Sequence, residues 1–137
     1  MWWIYAILSA VFASLTAMFA KVGVSGINSN LATAIRTIVV LLLLWGIVIA
    51  KGEFKGFSLI SKHSLLFLVL SGLATGFSWM FYFKALQLGP VSQVATIDKL
   101  SVAITIILAA IFFHEPISLK TAVAAGLIIL GTVLLIA

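Results

Sequence analysis

The sequence predicts an all-α, polytopic membrane protein of five spans. Three observations carry that prediction. Of the 137 residues, 64% are hydrophobic and only 8% are charged, whereas a water-soluble domain carries about 25% charged residues. The mean hydropathy is +1.35. The apolar residues also fall into five blocks, each near the ~20 residues that cross a ~30 Å hydrocarbon core. There is too little polar surface to cover a globule in water, so the lipid bilayer is the chain's first partner.

The first block runs from Trp2 to about Ala20 and closes at Lys21. VGVSGINSN, Val22 to Asn30, reads as a Gly/Ser/Asn loop, with Ser29 or Asn30 as the cap of the next helix. The second block spans Leu31 to Ala50. KGEFKGFSLISKHS, Lys51 to Ser64, is the longest polar connection, and Ser64 is placed to cap the third helix. That helix runs from Leu65 to Leu88, where Gly89-Pro90 breaks it, since Gly suits a helix end and Pro a helix start. The fourth block is Val91 to Phe113, and His114-Glu115-Pro116 makes a short turn. Ser118 then caps the fifth helix, Leu119 to Ala137. The expected helices are therefore 2–20, 31–50, 65–88, 91–113 and 119–137, in a single transmembrane domain over 1–137. A cleavable signal peptide is not expected, because no basic stretch precedes the first block and no soluble body follows it.

Several function classes drop out. The formal charge is +5, but basic residues scattered among apolar blocks act as topology determinants rather than a nucleic-acid surface. Cysteine is absent, so no thiolate chemistry is available. Two isolated histidines without a shared helix face make a poor metal site. No Gly-rich phosphate loop, GxSxG, HExxH or catalytic carboxylate pair occurs. No cofactor and no enzyme activity are implied, and uphill transport would draw on ion gradients.

The sharpest signal lies in TIDKLSVAITIILAAIFFHEP, Thr96 to Pro116, where Asp98 and Lys99 open an otherwise apolar run. Such a charge deep in a span costs at least ~2.5–3.5 kcal/mol on insertion scales, so it faces protein or water. At ~1.5 Å per residue Asp98 and Lys99 lie about 10 Å inside the fourth span, Arg36 about 9 Å inside the second and Lys84 roughly 6 Å inside the third. Asp98 is the single acid among them. It has three readings: a proton carrier, a cation-binding carboxylate, or a fixed partner of Lys84, Arg36 or Lys99. The surplus cations are expected to snorkel, meet water or meet a ligand.

Helical spacing adds polar and aromatic stripes: Asp98, Ser101 and Thr105; Thr75, Ser78, Trp79 and Tyr82; Tyr5, Ser9, Phe12, Thr16 and Phe19. They fit a cavity of hydroxyls and ring faces, or plain helix packing. Small residues four apart, Ala122 and Gly126 in the last helix, allow close backbone approach within or between subunits.

YFKALQLGPVSQVATIDKLSVAITIILAAIFFHEPISLKTAVAAGLIILGTVLL, Tyr82 to Leu135, resembles an EamA-type repeat of the drug/metabolite transporter superfamily. The shared features are Lys84-Ala85-Leu86 at the end of the third helix, Glu115-Pro116 after the fourth, and a final helix holding Gly126 and Gly131. The resemblance extends over the whole chain as one repeat, whereas typical relatives hold two repeats of inverted topology. Lys99 stands where two-repeat members commonly place proline, and the I-D-K-L-S wording resembles the short single-repeat branch.

The resemblance implies a multi-pass protein of a prokaryotic cell membrane that moves a small-molecule substrate. A single repeat needs a second copy. Lysine and arginine near the spans divide four to four between the two sides (Lys51, Lys55, Lys62 and Lys120 against Lys21, Lys84, Arg36 and Lys99). That balance favours an antiparallel homodimer with dual topology; a parallel homodimer and a heterodimer are the other arrangements. The expected activity is proton-coupled export of drugs or metabolites by alternating access, with Asp98 the first coupling candidate. A lipid-linked head-group flippase subunit and a membrane scaffold are the alternatives.

Overall fold

A computed structural model describes residues 1–136. Ala137, the last residue of the expected fifth helix, lies outside the described residues, as does the side chain of Ser58. The chain is 86% helical, with no strand among the described residues. In order it forms α1 (Trp2–Gly23), α2 (Ser29–Ala50), a 3-10 helix (Glu53–Leu59), α3 (Lys62–Leu88), α4 (Val91–Asp98), α5 (Leu100–Phe112) and α6 (Leu119–Ile136). Taking α4 and α5 together as Val91–Phe112, five helical segments are long and apolar enough to cross a membrane. Most large apolar side chains are exposed in the chain, as lipid-facing spans require.

The caps differ from the sequence expectation in an instructive way. Asn28, not Ser29 or Asn30, caps α2: its Oδ1 accepts the N–H of Asn30 at 2.9 Å and of Leu31 at 3.4 Å. Ser29 is buried inside the first turn, and its carbonyl accepts the Thr33 hydroxyl at 2.8 Å. At α3 the cap is Ser61 rather than Ser64, whose N–H donates to Ser61 Oγ at 3.0 Å. Helix α3 therefore begins three residues earlier than expected, at Lys62. Ser118 does accept the Thr121 N–H at the start of α6, at 3.1 Å. Helix α1 runs past Lys21 to Gly23, and Gly26 turns the chain at φ 79. After α5 the chain leaves through His114 in the left-handed region (φ 53), ahead of Pro116, which cannot continue a helix.

The chain forms two compact units, one of Met1–Met18 with the chain from Leu88 onward, the other of Phe19–Gln87. In the second unit Ala20, Val24, Ala32, Phe83 and Leu86 are buried. Gln87, near the end of α3, donates through Nε2 to the carbonyls of Ile27 at 2.8 Å and Val24 at 3.3 Å, pinning the α1–α2 loop. The Lys21 ammonium donates to the Leu86 carbonyl beside it.

In the first unit α4, α5 and α6 pack on one another around Val94, Ala103 and Thr132. The expected continuous helix over 91–113 is broken here. Lys99 separates α4 from α5, with φ −68 and ψ −12. Its N–H bonds the Thr96 carbonyl three residues back at 3.0 Å, and the Val102 N–H bonds the Lys99 carbonyl at 3.0 Å. Such i−3 bonds are the tighter 3-10 kind. Thr96, Ile97 and Asp98 are three successive weak helix formers, and Asp competes with the helix through its own side chain. The Thr132 hydroxyl of α6 shares its proton between its own helix, at the Ile128 carbonyl (2.8 Å), and the Thr96 carbonyl at the break (3.4 Å).

Two stability predictions follow from these contacts. Asn28→Ala is expected to cost about 1 kcal/mol, measured by detergent-denaturant unfolding followed through helicity, with Asn28→Asp near the parent. Thr132→Val is expected to cost about 0.6 kcal/mol, and no more than about 1.7, while Thr132→Ser keeps most of the bond.

Candidate functional site

Two stations carry the polar chemistry, one in each compact unit. In the second unit Arg36 projects from α2 and is half-buried. Its guanidinium carbon sits 4.2 Å from the centre of the Trp79 ring and 5.4 Å from that of Phe83. Trp79 and Phe83 are four apart on α3 and so share a face. A cation over ring faces within about 6 Å is held by their quadrupoles, by ~0.5–2 kcal/mol according to how dry the site is. The planar, weakly hydrated guanidinium suits this better than an ammonium does. Tyr82, half-buried on the same helix, lies within electrostatic reach of Arg36.

Within the chain, Arg36 takes the rings of Trp79 and Phe83 as its partners. Phe83 was missed by sequence reasoning, although its spacing from Trp79 was the available signal. Lys84, one residue on, is exposed, and its ammonium donates to Gln87 Oε1 at 3.4 Å. It belongs with the Gln87 network that pins the α1–α2 loop.

In the first unit Asp98 and Lys99 occupy the break itself, both exposed in the chain. The N–H and carbonyl of Lys99 both make three-residue bonds, so the stripe of Asp98, Ser101 and Thr105 does not keep a plain α-helical phase. Ser101 and Thr105 follow on α5, both exposed, and the Thr105 hydroxyl donates to the Ser101 carbonyl at 2.7 Å. Tyr5 and Ser9 lie exposed on the first half of α1. Ala122 and Gly126 are exposed on α6, and a Cβ added at Gly126 would stand in open space. Thr96 and Thr132, which complete the break, were not singled out from sequence. The available sign was Thr132 itself, a hydroxyl within the apolar run of the last helix well past Thr121.

Six threonine hydroxyls follow one rule. Thr33, Thr37, Thr75, Thr96, Thr105 and Thr132 each donate to the carbonyl four residues earlier in their own helix, at 2.7–2.9 Å. A proton held this way leaves the oxygen lone pairs facing outward.

Five helical segments are thus long and apolar enough to cross a membrane, one of them interrupted at Asp98 and Lys99. The EamA-like transporter family matches residues 1–137. A protein of Sinorhizobium sp described as "Uncharacterized transporter in cobO 3'region" is 48% identical over 134 residues, 98% of this chain and 95% of that protein. No solved structure matches the chain. The chain belongs to the EamA-like transporter family, as a multi-pass membrane transporter of the drug/metabolite superfamily.

Proposed function

We propose that this transporter is a proton-coupled exporter of small drugs or metabolites, working by alternating access as a homodimer in a prokaryotic cell membrane. The observation that carries the reading is the interruption of the fourth span at Asp98 and Lys99. Secondary transporters bind substrate and coupling ion at discontinuous helices near the bilayer midplane, where irregular backbone lines a cavity rather than lipid. An acid at such a break can exchange a proton with water entering from either side.

The main competing role for Asp98 is a fixed structural ion pair. Support for coupling over pairing comes from the cations themselves. Arg36 has its rings, Lys84 has Gln87, and Lys21 has the Leu86 carbonyl. Those three do not need a carboxylate to be tolerated. In this reading Asp98 carries the proton, with Lys99 next to it in the chain. Ser101, Thr105, Tyr5 and Ser9 offer acceptors along the pathway, while Arg36, Trp79 and Tyr82 form a second polar and aromatic contact for cargo. Ala122 and Gly126 join the two copies through their open α6 face.

The coupling role is tested in proteoliposomes by substrate-driven proton flux. Asp98→Asn is expected to reduce the flux to that of empty vesicles while leaving helicity and dimer assembly unchanged. Loss of folding would mark the carboxylate as structural, and unchanged flux would remove it from coupling. The antiparallel arrangement is tested in whole cells with C-terminal reporters, one active in each compartment. Signals from both are expected, and a signal on one side alone sinks the inverted pair.

A further inference from the structure

The connection between α2 and α3 carries more structure than a polar link needs. Lys51 closes α2, Gly52 follows in the left-handed region at φ 67, and Glu53–Leu59 wind into the 3-10 helix. Residues three apart eclipse in such a helix. Phe54 and Phe57 therefore stack, with ring centres 6.0 Å apart and planes within 6°. Phe54 also meets Trp45 of α2, 5.9 Å away between ring centres. With Leu44, Val48 and Ile60, these rings wall an open groove of about 400 Å³, inside the roughly 300–1,000 Å³ of small-molecule clefts.

The groove is apolar but not closed: Phe57 is 57% and Trp45 39% exposed. It lies at the end of an apolar span, the depth where aromatic side chains meet lipid headgroups. Lys51, Lys55 and Lys62 bracket it along the chain, all exposed, against one acid, Glu53, on its rim. The geometry points to a binding site for an anionic phospholipid, its acyl chain lying along the aromatic groove and its phosphate among the lysines. A soluble anion would use the lysines and leave the rings bare. A zwitterionic lipid would use the rings and gain less from a segment with three lysines and one acid.

Trp45 reports on its own groove. The full-length protein is reconstituted in brominated phosphatidylglycerol or brominated phosphatidylcholine, and the Trp45 contribution is isolated by difference from Trp45→Phe. The anionic lipid is expected to quench Trp45 with an association constant at least about fivefold higher, the discrimination one lysine provides at an anionic surface. The triple variant Lys51→Gln, Lys55→Gln, Lys62→Gln is expected to erase that preference while retaining helicity. Should the triple variant fail to fold, native mass spectrometry of the parent protein makes the same comparison, with anionic lipid expected to be retained preferentially. Equal quenching or equal retention of the two lipids overturns the site, as does a preference that survives loss of the lysines. Shielding of Trp45 from both lipids overturns it equally and assigns the groove to a second copy.

Discussion

Hydrocarbon offers no water to complete a broken hydrogen-bond ladder, so a span can be interrupted only where the chain supplies the missing partners. That constraint governs the fourth span. At Lys99 the ladder tightens to three-residue bonds, and the Thr96 carbonyl receives the Lys99 N–H at 3.0 Å. A second donor reaches the same carbonyl from α6, the Thr132 hydroxyl at 3.4 Å. Thr132 is 1% exposed, so water does not compete for its proton. The longer branch is the weaker one. Its value lies in position, because it ties the interrupted segment to a continuous neighbour.

The same economy applies to charge. A cation in a low-dielectric span is tolerated when something nearby replaces its hydration, and a carboxylate is only one way of doing so. Arg36 uses ring faces, Lys84 a side-chain amide and Lys21 a backbone carbonyl. Neutral partners of this kind hold a cation without fixing a counter-charge.

Much of the architecture was legible in the sequence, because five apolar runs near bilayer length leave few alternatives. The helix ends were less so. Asn28, Ser29 and Asn30 all have capping side chains, and only backbone geometry decides that Asn28 takes the role. At α3 the choice between Ser61 and Ser64 is of the same kind, and there both hydroxyls meet, 2.9 Å apart. The break at Lys99 was hidden for another reason: neither Gly nor Pro marks it, and an apolar run continues on its far side. The charges at 98 and 99 were visible, but the Thr132 hydroxyl that reaches the break is distant in sequence. Arg36 shows the complementary limit. Its depth could be counted along α2, whereas its seat on Trp79 depends on the register of α2 against α3.

In the proposed role, the threonine rule would narrow what the stripes could recognise. A threonine whose proton goes to its own helix cannot donate to an incoming carboxylate or phosphate without giving that bond up, yet it accepts freely. Thr105 and Thr75, with hydroxyl-to-carbonyl distances of 2.7 and 2.9 Å, are in this state. Cation–π contact, by contrast, engages the guanidinium charge and leaves the in-plane N–H donors of Arg36 to other partners. Acceptors therefore gather on the hydroxyl faces, and a strong donor stands on the rings of α3. A molecule presenting N–H groups is suited to the first, and one presenting anionic or carbonyl oxygens to the second. Under the proposed function, selectivity would then depend on which hydroxyl protons are already committed, with no need for a large set of dedicated ligating residues.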